Sequence, residues 1–579
     1  MILRTIKVVA IGALISGLAA CNSSDDDPLP VPPPVAEPEP LPQLSAAVGA
    51  AFSGNCNDLT ANLSELENTE ITSSSEVAAG ELTVAGNDIA AHCLVTGNMH
   101  QRVSSVDGNA YAIGFEMRLP IDWNGRFYHQ ANGGIDGRAS TAIGGGGPGG
   151  LTNALYQGFA VLSSDAGHSG SLGPTFGVDP IARLDYGYTA VEKLTPMAKQ
   201  LISLAYGKGP DRSYFGGCSN GGRHTFNTFA RMPNEYDGYL AGAPGFRLPY
   251  AAIANIFGAQ QYHSVATDPD DLSTGFTEDE RGMVAAAALV KCDDLDGVND
   301  GQIHAFEACQ EIFSLDDVPT CIGDRDGSCL SAAQKTAIAP IFSGAVTSTG
   351  EEFYAPFPFD TGIATGGYAQ WEFDIPTTRD TGAVAFIWGV PVADPATFDD
   401  TDFGLNGSID DMITSVESTD DIYTEAANSF MIPPNNGEEL SAVRERGAKI
   451  MVYHGMSDPI FSPLDTVNWY KNLSANNNDD ATDFARLYMI PGMGHCSGGP
   501  AVDQVDLLTP LVAWVENGTA PDNLVATARG AGNVGGENGD VPADWSVDRS
   551  RPLCQYPLVA HYDSNSSGDV ELAASFSCQ

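Results

Sequence analysis

The chain has 579 residues, 43% hydrophobic and 9% aromatic, a globular composition and a length too great for one core of ordinary size. Against 27 Lys and Arg stand 74 Asp and Glu, a net charge of −47. That balance repels nucleic acid and anionic membrane surfaces, so no nucleic-acid partner is expected, and it leaves few cations to hold an anionic substrate.

Residues 1–21 are predicted to be a processing signal. Arg4 and Lys7 make a basic start and Val8 to Ala20 an apolar run, shorter than the ~20 residues of a bilayer span. The run ends Leu18-Ala19-Ala20-Cys21, similar to a bacterial lipobox in which Cys21 carries the lipid; the plainer alternative is an ordinary signal peptide with an incidental cysteine. Residues 22–45 pass from Asp25-Asp26-Asp27 into Pro32-Pro33-Pro34 and read as an extended tether that cannot form a core. An exported bacterial lipoprotein is expected, facing the periplasm or outward and meeting the membrane only through its anchor. The cysteines agree. Setting Cys21 apart from the 11 leaves an even number, without C-x-x-C zinc spacing, in a setting where disulfides persist.

Residues 46–245 are expected to form the first part of an α/β core. Short β-prone runs lie near Glu81–Val84 and Ala91–Val95, then Ala112–Leu119 and Arg126–Gln130 read as strands. Asn132-Gly133-Gly134 and a glycine run from Gly144 to Gly150 follow, then a buried strand over Gly158–Asp165. Val191, Leu194, Ala198, Leu201, Ile202 and Ala205 fall on one face of a helix predicted over Asp185–Gly207. The run Ser213–Gly217 reads as the next strand, a helix follows over Gly222–Met232, and Tyr239–Gly242 is a short strand. Strands alternating with helices imply a mainly parallel sheet. From residue 246 to 446 the alternation stops and the sequence turns Asp-, Gly- and Thr-rich, which predicts an inserted lid domain. The core resumes over 447–579, with strands at Lys449–Tyr453 and Arg486–Ile490 and a helix around Leu507–Val515.

The chemistry centres on Gly217-Cys218-Ser219-Asn220-Gly221, a G-x-S-x-G pattern between a strand and a helix. A serine hydroxyl needs a base to take its proton and a carboxylate to orient that base. Asp458 and His495 each follow the carboxyl end of a predicted strand, where open α/β sheets place their sites, and the order Ser219, Asp458, His495 is that of α/β-hydrolases. His454 is read as a packing or hydrogen-bonding residue, and the remaining histidines, His224 among them, as structural. Cys218 precedes the proposed nucleophile and Cys496 follows the proposed base; a bond between them would bring Ser219 and His495 together.

On these residues the chain resembles the tannase and feruloyl esterase family, whose hallmark is a Cys-Ser…Asp…His-Cys arrangement with the two cysteines bonded. Trp123-Asn124-Gly125-Arg126-Phe127, Asp185-Tyr186-Gly187-Tyr188, Gly216 to Arg223 and Ser550-Arg551-Pro552-Leu553-Cys554 fit as well. The resemblance implies an α/β-hydrolase core with a large lid between nucleophile and acid, and carboxylic ester hydrolysis through an acyl-enzyme. It also implies the disulfides Cys56–Cys93, Cys218–Cys496, Cys292–Cys309, Cys321–Cys329 and Cys554–Cys578. The oxyanion donors would be the amides of Asn220 and of Gly133 or Gly134, a choice the sequence leaves open.

In the lid, the run Cys292 to Ile303 clusters carboxylates between turn-forming glycines, a pattern that suits a hard cation or a solvated acidic turn equally and does not fit an EF-hand. The resemblance implies a structural Ca²⁺ held by Asp293, Asp296, Asp300 and the carbonyls of Val298 and Gln302. Trp388 is expected to line the substrate pocket. No Lys or Arg lies between Arg379 and Arg444, so an acid-bearing ester would find no arginine in that part of the lid. A small neutral aromatic ester, of hydroxycinnamate or gallate type, is therefore expected. The alternatives are a terephthalate monoester or a non-catalytic binding role on the same fold.

Overall fold

The computed structural model describes residues 41–59, 66–431, 437–522, 524–564 and 568–579. The signal, Cys21 and the tether up to residue 40 lie outside the described residues. Residues 41–579 form one compact unit. The tether expected to run to residue 45 ends earlier, because Gln43 Nε2 donates to the Val515 carbonyl at 2.9 Å.

A sheet of nine strands carries the fold. In chain order they are β1 (Thr69–Val77), β2 (His92–Val103), β3 (Ala110–Pro120), β4 (Arg126–Gln130), β5 (Ala160–Ser164), β6 (Arg212–Cys218), β7 (Gly238–Gly242), β8 (Lys449–Gly455) and β9 (Ala485–Ile490). Across the sheet they run β9-β8-β7-β6-β4-β5-β3-β2-β1. From β9 to β5 every pairing is parallel, while β3, β2 and β1 pair antiparallel at the other edge. The burial of each strand follows from this. β8 and β9, though β9 is the edge strand, are buried at every residue, as parallel strands covered on both faces are, whereas β3 alternates over its first half. Cys218 is level with Gly242, and Gly242 with Tyr453, so the carboxyl ends of β6, β7 and β8 share one edge.

Helices cover both faces. α1 (Ala190–Tyr206) packs its predicted apolar stripe on one side, and a turn of wider helix over Asp185–Thr189 precedes it. α2 (Asn220–Arg231) leaves the serine. Between β7 and β8 the chain is largely helical, with α3 (Leu248–Val265), α4 (Glu278–Cys292) and α5 (Ala332–Ser343). α3 buries Ala251, Ile253, Ile256, Phe257 and Tyr262 around its circumference, so no single apolar stripe marks it in the sequence. The inserted stretch has its own apolar cluster, but Tyr111, Phe176, Tyr186 and Phe461 of the flanking core join it. α6 (Pro463–Asn476) and α7 (Leu508–Asn517) complete the core. Five disulfides close the structure, and their pairs are those implied by the family resemblance. No helix among the described residues is long and apolar enough to cross a membrane.

Candidate active site

Ser219 sits between β6 and α2 with φ 66° and ψ −126°, a left-handed turn that a residue with a side chain adopts only when its surroundings hold it. Its amide donates to the Gly242 carbonyl (3.0 Å). The turn is tight enough to exclude side chains on both sides. A Cβ on Gly217 would lie 2.3 Å from the Ala131 carbonyl oxygen, and one on Gly221 2.5 Å from the same atom. The pattern's glycines are therefore steric requirements.

Asp458 and His495 come from the turns after β8 and β9. Nδ1 of His495 lies 2.8 Å from Asp458 Oδ2. The other carboxylate oxygen, Oδ1, accepts from the amides of Ile460 (2.9 Å) and Phe461 (3.1 Å). Full burial opposes ionisation of Asp458, but the His495 and His454 rings hold its carboxyl well below the usual range. His454 is pinned between Thr466 Oγ1 (2.8 Å) and Asp458 Oδ2 (3.1 Å), as a hydrogen-bonding residue should be. His495 Nε2 is buried and has no partner. Asp360 of the inserted stretch ties the two turns together: its Oδ2 accepts from Ser457 Oγ and Gly492 N, each at 2.7 Å. Trp371 and Phe461 meet the His495 ring edge-on, with centroids 5.3 and 5.4 Å away.

Cys218 and Cys496 are bonded, with Cα atoms 6.0 Å apart. Ser219, His495 and both cysteines line one cavity of about 940 Å³, walled further by Gln130, Gly133, Gly134, Arg138, Trp371 and Tyr453. Of the two candidate glycines, Gly133 lies against the serine: a Cβ built there would be 3.7 Å from Ser219 Cβ. Gly134 has φ 65° and no such neighbour. Asn220 opens α2, so its amide is among the helix's unpaired N-terminal donors. The Asn220 side chain is locked, donating to Asp136 Oδ2 (2.7 Å) and accepting from Arg223 Nε (2.6 Å). His224 Nε2 also meets Asp136 Oδ2, at 2.9 Å.

Trp388 does not line the cavity. It is 2% exposed within the inserted apolar cluster, and its carbonyl accepts from Arg183 (2.9 Å). Trp371, one of several aromatic residues in that stretch, takes the wall position because its helix passes beside His495. Asp136, Arg138 and His224 carry no motif that would have singled them out in the sequence; they are found only through contact with the serine's surroundings.

The acidic turn expected to bind calcium packs against the C-terminal segment. Asp293 Oδ1 accepts from the amides of Asp300 and Gly301 (3.1 Å each), and Asp300 Oδ2 is paired with Arg551. Among the described residues no three acidic, His or Cys side chains converge as a metal-ligand group. Yet Asp296 Oδ2 is buried without a partner, and burial, with Asp300 and Asp293 nearby, pushes its carboxyl up to about 8. That unpaired oxygen is the feature a hard cation would satisfy.

The family model for tannase and feruloyl esterase matches residues 93–579. The chain belongs to the tannase and feruloyl esterase family. It is a carboxylic ester hydrolase with an α/β-hydrolase fold. The mono(2-hydroxyethyl) terephthalate hydrolase of Piscinibacter sakaiensis is 34% identical over 86% of this chain and 87% of its own length. Feruloyl esterase B of Aspergillus niger is 26% identical over 89% of this chain and 94% of its own. Among solved structures, feruloyl esterase B from Aspergillus oryzae shares the fold at 24% identity, with a TM-score of 0.71 over 90% of this chain and 99% of that one. The five disulfides of this family member fit an oxidising, exported setting.

Proposed function

We propose that this chain hydrolyses esters of aromatic carboxylic acids through an acyl-enzyme on Ser219. The observation that carries this reading is His495, bonded through Nδ1 to Asp458 while its buried Nε2 is left free beside the cavity that Ser219 lines. Nε2 takes the Ser219 Oγ proton as the oxygen attacks the ester carbonyl, and Asp458 holds the ring and stabilises the imidazolium. The amides of Asn220 and Gly133 bind the oxyanion. His495 then passes the proton to the departing alcohol. Water, deprotonated by the same nitrogen, attacks the acyl carbonyl and frees the acid and Ser219. Trp371 offers the cavity a flat apolar wall for an aromatic ring.

The relatives' names span ferulate esters and a terephthalate monoester, and both classes fit this chemistry. Hydrolysis of methyl ferulate, methyl gallate and monomethyl terephthalate by wild type and Ser219→Ala tests it. Release of acid from at least one ester, abolished in the variant, is expected; no hydrolysis by wild type, or equal rates in the two, overturns the reading. In the same proposal, Ca²⁺ is held near Asp293, Asp296 and Asp300, with the carbonyls of Val298 and Gln302, and stabilises the join between the inserted stretch and the C-terminal segment. Lipidation at Cys21 would anchor the enzyme to a bacterial membrane. Radiolabelled palmitate incorporated by wild type and lost in Cys21→Ser supports the anchor; no incorporation rejects it.

A further inference from the structure

In a chain of net charge −47, an accessible guanidinium easily finds a carboxylate. The described Lys and Arg residues bear this out. Most hold ion pairs, as Arg126 does with Glu516 (2.7 Å), Arg379 with Asp380 (2.7 Å) and Arg247 with Asp465 (3.0 Å). Arg183, Arg281 and Lys335 donate to backbone carbonyls instead, and Arg231 is also engaged, lying over the Tyr188 ring. Among the described residues Arg138 alone has a guanidinium with no hydrogen bond, ion pair or aromatic ring contact. It is exposed, and it lines the cavity that holds Ser219 and His495. Among the described residues no Asp or Glu lines that cavity, so none of them neutralises the charge there. Arg138 also follows Asp136 by two residues. The Asp136 carboxylate is committed to Asn220 (2.7 Å) and His224 (2.9 Å) and is almost fully buried, which fixes the loop without engaging the arginine.

We propose that Arg138 is the anion-binding residue of this active site, and that the preferred substrate is an aromatic ester whose acid part bears a second, free carboxylate. The planar fork of an arginine matches a carboxylate with two parallel hydrogen bonds, and a pocket without acidic side chains lets it do so. The cation missing between Arg379 and Arg444 is thus supplied by the loop after β4. This inference rests on the esterase reading above and narrows its substrate class.

The test pairs two substrates that share ring and scissile bond, monomethyl terephthalate and its neutral counterpart methyl 4-carbamoylbenzoate. The readout is the ratio of kcat/KM for acid over amide. Wild type should favour the acid, and Arg138→Gln should lower the ratio about ten- to a hundredfold, mostly through KM, as loss of a hydrogen bond to a charged group does. Arg138→Glu should lower it further and Arg138→Lys should keep part of it. Because each variant is its own control, a disturbed loop that slows both esters equally leaves the ratio unchanged. An unchanged ratio in Arg138→Gln, or a wild type that favours the amide, overturns the proposal. Wild type that cleaves methyl ferulate but neither terephthalate ester also overturns it while leaving the esterase reading standing; a wild type inert on every ester defeats that reading instead.

Discussion

Cys218 and Cys496, 278 residues apart in sequence, are joined with their Cα atoms 6.0 Å apart, one immediately before Ser219 and the other immediately after His495. Ser219 and Cys496 also share left-handed backbone, with φ of 66° and 65°. The bond therefore links two turns that both hold costly conformations. We expect the double variant Cys218→Ser/Cys496→Ser to lose roughly 2–5 kcal/mol of stability, as loss of a native disulfide does. Its kcat should fall about a hundredfold even well below its melting temperature, because the base is no longer clamped beside the nucleophile. Urea unfolding and ester hydrolysis on the same preparation check both. A destabilised variant with wild-type kcat would show that the bond serves the fold alone.

Asp136 joins the two backbone segments expected to bind the oxyanion. Its amide donates to the Gly133 carbonyl (3.2 Å), while its carboxylate receives Asn220 Nδ2 (2.7 Å) and His224 Nε2 (2.9 Å). It is not among the residues that line the cavity, so its effect is positional. Asp136→Ala should lower kcat about ten- to a hundredfold with KM nearly constant, since a displaced donor is felt in the transition state. It should weaken a boronic-acid transition-state analogue by a similar factor. A variant in which KM rises and kcat holds would place Asp136 in substrate binding instead.

Glu372, next to Trp371 in sequence, is buried beside Tyr262, Tyr368 and Arg281, and burial pushes its carboxyl up to about 8 from the ordinary 4.5. Below the ordinary value both folded and unfolded chains bind this proton. As pH rises towards 8 the unfolded chain releases it and the native one keeps it, so native stability falls across that window and levels off above it. Glu372→Gln should flatten this part of the stability profile. Thermal melting from pH 5 to 8.5 reads the effect, and equal slopes in wild type and variant would reject it.

Much of the site was legible because its chemistry is tied to strand ends. The run into Ser219, the strand before Asp458 and the strand before His495 are apolar and β-prone, so pattern and topology pointed the same way. β1 was not legible: Thr69–Val77 is an edge strand of mostly polar residues with little alternation. α3 was lost for the opposite reason, being apolar around its whole circumference. Trp388 and Trp371 could not be told apart, since both are lid aromatics and only the path of the chain past His495 decides which one faces the cavity. Arg138 carries no sequence signal because no motif surrounds it; only the sheet brings the loop after β4 to the same edge as the serine.

The acidic turn gives a prediction of opposite dependence on pH with and without metal. Asp296 is 1% exposed, its Oδ2 is unpartnered, and its carboxyl is pushed up to about 8 by burial and by Asp300 and Asp293. Without a cation, ionising it costs native stability as pH rises from the ordinary carboxylate range towards 8. A bound Ca²⁺ reverses this, because it binds the ionised carboxylate and stabilises the folded state by mass action. We expect EDTA to lower Tm and added Ca²⁺ to restore it, with the gap between the two conditions widening from pH 6 to pH 8.5. Asp296→Asn should narrow that gap at every pH, since it removes the oxygen that the cation would engage. Equal Tm values in EDTA and Ca²⁺ across the range, or a gap that Asp296→Asn leaves intact, would remove calcium from this turn and leave Arg551 on Asp300 as its main tie to the C-terminal segment.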